Sequence, residues 1–126
     1  DYTGVLSATK YEDSVNTYIQ DDFTLTADFA LDTFTIVDGP TAGGSFALIG
    51  DGYLDSTTGL IASDTLSLTH TDVSATYTNP NSVILFGNIH GDGTDVSGVF
   101  YNNGYAVEDG TDVVAAQYVG TIVGSQ

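Results

Sequence analysis

Phe23-Thr24-Leu25-Thr26-Ala27-Asp28-Phe29 alternates apolar and polar residues without a break. On an extended chain Phe23, Leu25, Ala27 and Phe29 fall on one face, and Thr24, Thr26 and Asp28 on the other. This period-two pattern marks a half-buried β-strand. Working outward, Phe34 and Ile36 repeat it, then Phe46 and Leu48, Leu66 and Leu68, and Val73, Ala75 and Tyr77. Val83–Ile89 is apolar on both faces for part of its length, which predicts a strand covered on two sides. Val114, Ala116, Tyr118 and Ile122 close the series. No window places apolar residues at i, i+3, i+4 and i+7 among helix formers, so helices are not expected.

Turn signals separate the runs. Asp-Gly stands at Asp38-Gly39, Asp51-Gly52, Asp92-Gly93 and Asp109-Gly110, with further breaks at Asn79-Pro80-Asn81 and Asn102-Asn103-Gly104. Glycine reaches positive φ freely, and Asn and Asp tolerate it, as short hairpins require. Residues 1–126 therefore read as a single all-β domain: an antiparallel up-and-down β-barrel of about eight strands, with a β-sandwich as the alternative. The terminal segments Tyr2–Thr9 and Val113–Val123 can pair to close the barrel, or serve as spare strands for pairing with another chain.

Charge is the extreme property. Seventeen acidic residues, fifteen of them Asp, face one basic residue, Lys10, giving a formal net charge of −16. A nucleic-acid phosphate backbone or an anionic membrane needs a basic surface, which this composition denies. Intramolecular salt bridges are nearly excluded. The carboxylates must be solvated, bonded to backbone N–H groups or neutralised by cations, so a saline or calcium-rich extracellular setting fits. The apolar fraction of 41% argues against disorder. No apolar run is long enough to span a bilayer as a helix. There is no cysteine for a disulfide or a thiolate metal site. No basic segment followed by an apolar one opens the chain, as in an exported protein whose signal has been removed.

Asp-Gly-Thr-Asp-Val occurs twice, at Asp92–Val96 and Asp109–Val113, each copy followed five residues later by a tyrosine, Tyr101 and Tyr118. If Asn102-Asn103-Gly104 is a hairpin turn, both copies lie at one end of the sheet. Asp92, Asp95, Glu108, Asp109 and Asp112 then form a candidate calcium site, since calcium accepts six to eight oxygens in flexible geometry. If Gly98–Tyr105 is one long bulged strand, the copies lie at opposite ends and share no site. The plainer reading outranks the calcium one: Asp-Gly-Thr-Asp is turn chemistry, with Asp side chains accepting from local N–H groups.

His70 and His90 each stand near the end of an expected strand, without a second histidine at ligand spacing. They read as hydrogen-bonded or exposed residues before they read as metal or haem ligands. There is no nucleophile elbow, no phosphate loop and no His-Glu-x-x-His. With so many aspartates, a carboxylate pair chosen by counting says little about catalysis. Tyr2, Tyr11, Tyr18, Tyr53, Tyr101 and Tyr105 read mostly as barrel-wall or core residues. The alternative is an exposed sugar- or protein-binding surface.

The segment Gly87-Asn88-Ile89-His90-Gly91, continued by Val96-Ser97-Gly98-Val99-Phe100-Tyr101, resembles the β-barrel domain of transferrin-binding-protein-like surface proteins. Their terminal signature runs glycine, any residue, two aromatics, glycine, a short acidic linker and a Gly-x-Phe strand. Gly87, Gly91, Gly98 and Phe100 match it in type and approximate spacing. Phe23–Val37 looks like the family's strand pair, turning at Leu31-Asp32-Thr33, and Gly50–Gly59 like its glycine-rich hairpin. Ile89 and His90 stand where two aromatics are usual, and Asp92 where proline is common. The resemblance implies a compact antiparallel barrel filled by side chains, secreted or displayed at a bacterial surface; members of the family bind host proteins or haem, or have no known ligand. It carries over no ligand residues.

These readings together predict a non-enzymatic, secreted or cell-surface acidic β-barrel binding module, cation-stabilised where calcium binds, taking a protein or small ligand at its surface loops. The alternative is a self-assembling structural subunit of an extracellular filament or matrix, built by β-strand addition. An acidic-site hydrolase is a distant third.

Overall fold

The alternation opening at Phe23 forms the second half of a long strand in a computed structural model of the chain, which describes residues 1–38, 46–72, 75–80 and 82–126. The strands in chain order are β1 (Tyr2–Glu12), β2 (Val15–Asp28), β3 (Thr33–Asp38), β4 (Phe46–Leu54), β5 (Leu60–Asp72), β6 (Ala75–Asn79), β7 (Val83–His90), β8 (Asp95–Asn102), β9 (Ala106–Glu108), β10 (Asp112–Val114) and β11 (Gln117–Ser125). No helix occurs among the described residues.

Eight strands close a ring, β1-β2-β3-β4-β5-β7-β8-β11, every pairing antiparallel. The seam joins the two terminal segments, from Thr3 opposite Ser125 to Tyr11 opposite Gln117. Both terminal strands are thus used in closure, and the barrel replaces the sandwich alternative. β5 is shared: Leu60–Ala62 pairs with β7, while Leu68–Asp72 pairs with β6, which lies outside the ring. β9 joins β6, and β10 joins β9. These three short strands form an extension at one end of the barrel, where β1 and β5 finish and β11 begins. The other, terminal end carries Tyr2, Ser125 and the β7–β8 connection.

Side-chain parity follows the alternation. Leu6, Leu25, Ile36, Leu48, Leu66, Leu68, Leu85, Val96, Phe100, Tyr118 and Ile122 point inward and are fully buried. Each contributes about 1.5–3 kcal/mol for an aliphatic or phenyl side chain removed from water. Large residues are set against glycines on the neighbouring strand. Phe100 is directly opposite Gly120, Phe34 opposite Gly52 and Phe23 opposite Gly4. A Cβ at Gly120 or Gly52 would run into the facing ring, and one at Gly4 into the β11 backbone. The interior of this narrow barrel is therefore filled by alternating bulk, as small barrels require.

Several sequence expectations need correction. Asp51-Gly52 is not a turn but the middle of β4, where Asp64 is skipped as a bulge between the pairs Asp51–Thr65 and Gly52–Ser63. Glycine is needed there because the Phe34 ring and the Ala62 carbonyl occupy the space of a side chain. Phe29 lies beyond the end of β2, in the turn to β3, and is exposed. β7 is covered on one face alone, leaving Phe86 half exposed. The β1–β2 turn, Asp13-Ser14, has no glycine signal, yet both residues adopt positive φ (47° and 65°), the geometry of a two-residue type I′ hairpin. Val73, Gly39 of the Asp38-Gly39 turn and Asn81 of the Asn79-Pro80-Asn81 break fall outside the described residues.

Candidate functional site

The doubled motif makes two separate turns. In the first, Asp92 and Gly93 take positive φ, the Thr94 hydroxyl donates to the Gly91 carbonyl (2.6 Å), and Asp95 begins β8 opposite His90 and Ser125. In the second, Asp109 and Gly110 take positive φ between β9 and β10. Asp109 Oδ1 accepts from the Thr76 amide (2.9 Å), and Glu108 pairs with Asp112. Glu108 also stands opposite Tyr77 on β6, beside the end of β1, whereas Asp95 lies near the start of β1. The copies therefore sit at opposite ends of the barrel.

The hairpin needed to bring them together does not form. After Asn102 the chain leaves β8, and β9 pairs with β6 and β10 instead. Asp92 and Asp95 are not gathered with Glu108, Asp109 and Asp112, and no group of three or more His, Cys, Asp or Glu residues suited to a metal is found among the described residues.

Asn102 marks the departure point. It is fully buried and stands in for missing ladder bonds: its Nδ2 donates to the Ala116 carbonyl (2.9 Å), and its Oδ1 accepts from the Tyr118 amide (2.6 Å) and from Gln117 Nε2 (2.9 Å). Asn79 plays a similar part, donating to the Tyr105 carbonyl (3.0 Å) and accepting from the Ser82 hydroxyl. Buried amides that satisfy backbone groups this way fix one path for the extension.

Beneath the extension lies a polar cluster that sequence reasoning missed. The inward positions of β1 run Leu6, Ala8, Lys10, Glu12, so the chain's single lysine points into the barrel, where it is buried. Lys10 Nζ lies 2.5 Å from Asp72 Oδ2 and 3.9 Å from Glu12 Oε2, and sits 4.3 Å from the centre of the Tyr77 ring. The Tyr77 hydroxyl donates to Glu12 Oε1 (3.1 Å). Next to it, buried His70 shares a 2.8 Å hydrogen bond through Nδ1 with the Tyr118 hydroxyl, and its ring packs edge-on to Tyr118 and stacks with Tyr77.

Burial sets the protonation of this cluster. Desolvation, then the Lys10 charge, lowers the His70 pKa, which favours neutral imidazole. Desolvation and Glu12 raise the Tyr77 phenol to about 12, and desolvation raises Tyr118 further. The hydrogen bond from Lys10 holds Asp72 below the usual carboxylate range. Parity was the available signal: Lys10 continues the Leu6–Ala8 face. His90, by contrast, is exposed, 3.3 Å from the Ser97 hydroxyl.

The outer wall has a second asymmetry. β7, β8, β11 and β1 are ring neighbours, and along all four the acidic residues are Asp95, at the start of β8, and inward-facing Glu12. Register assembles the outward residues into uncharged rows. One runs Ser7, Thr121, Val99, Phe86; the next runs Thr9, Val119, Tyr101, Ile84. Val99, Val119, Phe86 and Val123 are 40–61% exposed. Tyr11 and Tyr18 flank the wall on one side, and Leu60 and Tyr53 on the other, all exposed. Shallow grooves run between Tyr11, Tyr18, Val99 and Val119, and between Leu60, Phe86 and Val123. Five of the six tyrosines singled out in the sequence are thus surface residues, Tyr101 and Tyr105 among them; Tyr2 is the buried exception, its hydroxyl bonded to the Gly93 carbonyl (2.6 Å). The strands across the ring carry the charge, with Asp22 on β2, Asp51 on β4 and Asp64 on β5 exposed. Asp64, with help from Asp51, raises the Tyr53 pKa at the border of the two regions.

No protein-family model matches the chain, and comparison with curated proteins and with solved structures likewise gives no match.

Proposed function

We propose that the chain is a non-enzymatic, secreted or cell-surface binding module that engages a protein partner through the uncharged outer wall of β7, β8, β11 and β1. The observation that carries this reading is the distribution of charge. A chain of net charge −16 leaves four adjacent strands with one outward carboxylate, Asp95 at the start of β8, and exposes valine, phenylalanine and tyrosine along the rest of their length. Leaving apolar area in contact with water gains the isolated barrel nothing, and contiguous exposed apolar surface marks interaction sites. Tyrosine and phenylalanine supply contact area with few rotatable bonds, which suits interface centres. The filled interior and the charge distribution both favour binding on the outer wall.

The test places charge on the wall. A Val99→Asp/Val119→Asp chain and a charge-matched Thr26→Asp/Thr35→Asp chain, altered on β2 and β3, are compared with the unaltered chain in capturing extracellular proteins. The proposal expects a partner retained by the unaltered and control chains and lost by the wall variant. A partner held equally by all three, or lost equally from both variants, refutes it.

A further inference from the structure

The Lys10 cluster holds the components of an amide-forming reaction. The single primary amine of any side chain in this protein lies 2.5 Å from a carboxylate oxygen of Asp72, with its side chain 5% exposed. A second carboxyl, Glu12, stands 3.9 Å from the same nitrogen through Oε2, a buried oxygen without a hydrogen-bond partner among the described residues. The Tyr77 ring covers the amine, and Tyr77 orients the other Glu12 oxygen. We propose that Lys10 and Asp72 condense to an intramolecular isopeptide bond, with Glu12 as the proton-transfer residue.

Each part has a physical reason. At rest the two form an ion pair, with the Lys10 side chain buried and that of Asp72 25% exposed; transfer of one proton from Lys10 to Asp72 gives the neutral amine and neutral acid the reaction needs. Holding the two in contact supplies an effective concentration on the order of 10⁵–10⁸ M. The Lys10 nitrogen lone pair attacks Asp72 Cγ and a C–N bond forms. Glu12 takes a proton from that nitrogen and passes it to the departing hydroxyl. The C–O bond breaks, one water leaves, and Glu12 is regenerated. Nothing is oxidised or reduced. The new amide N–H can then donate to Glu12 Oε2.

Placement adds to the chemistry. In the ring order β1 and β5 are four steps apart in either direction, hence diametrically opposed. The bond would be a strap across the barrel mouth, joining residues 62 apart in sequence. A barrel repelled by its own carboxylates gains from such a cross-link in any dilute medium.

The experiment uses the purified 126-residue chain. Denatured, it is expected to weigh one water less than its sequence. Because Lys10 is the single trypsin site, the cross-linked chain should stay whole under trypsin, and fragmentation with a second protease should give a branched peptide containing Lys10 and Asp72. Asp72→Asn should lose ammonia in place of water and reach the same final mass as the unaltered chain. Glu12→Gln should keep its full mass, or a large fraction of it. An unaltered chain of full mass that trypsin cuts after Lys10 overturns the proposal. Asp-Gly pairs can also lose water as cyclic imides, so a Lys10→Arg chain equally light by one water overturns it too.

Discussion

Replacing Asn102 by alanine should be among the most damaging single substitutions in this protein. The side chain is 1% exposed and satisfies two buried backbone groups, the Tyr118 N–H at 2.6 Å and the Ala116 carbonyl at 2.9 Å. Gln117 Nε2 keeps a second partner in the Asn102 carbonyl (2.8 Å), so it is not stranded. Each orphaned buried group costs about 1–3 kcal/mol. A water entering the vacated volume would recover part of this, which sets the expected loss at about 2–4 kcal/mol. For a domain of this size that lowers Tm by roughly 8–15 °C. Thermal and urea unfolding measure it, and hydrogen exchange at the Tyr118 amide reports the local effect. Asn103→Ala is the control: that side chain is exposed, and surface changes stay within about 0.5 kcal/mol. Asn102→Asp keeps the acceptor for Tyr118 but turns a carboxylate toward the Ala116 carbonyl, and should be worse than alanine at neutral pH. If Asn102→Ala melts within about 2 °C of the unaltered chain, the claim that this amide replaces missing ladder bonds is wrong.

Other outcomes follow from the same geometry. The folded His70 pKa is lowered by desolvation, so the folded state binds fewer protons than the unfolded one; its contribution is complete above the ordinary histidine pKa of about 6.5 and is lost as pH falls through the lowered value. Urea midpoints should therefore fall from pH 7 toward pH 5 more steeply in the unaltered chain than in His70→Gln, and parallel curves would contradict this. With net charge −16 and one cation, Tm should rise with sodium chloride as repulsion is screened, and a flat salt response would show that the carboxylates barely interact. Gly120→Ala should cost about 1–3 kcal/mol in chemical denaturation, because the added methyl meets the Phe100 ring and the Ser7 carbonyl. Much of that cost should vanish in a Phe100→Leu background, and an equal cost in both backgrounds would rule out the ring as its source.

The alternation at Phe23–Phe29, Phe34–Ile36 and Leu66–Leu68 determined the fold class unaided. Period two is a local property: once a strand forms, parity alone decides which side chains face the core. The Asp-Gly pairs at 92 and 109 were legible for the same reason, since a left-handed turn is written in the residues that adopt it. Asp51-Gly52 was misleading because the same dipeptide also suits a strand glycine pressed by a neighbouring ring, and local sequence does not record which strand lies alongside. Partnership across the ring was beyond the sequence altogether. Whether the two Asp-Gly-Thr-Asp-Val copies meet depends on where the chain goes after Asn102, and that depends on pairing with β6. That Lys10 meets Asp72 depends on closure placing β1 opposite β5. The uncharged wall likewise exists because closure sets β1 and β11 beside β7 and β8, strands with no such adjacency along the chain. Local chemistry decided what each segment is, and the closed ring alone decided what each segment touches.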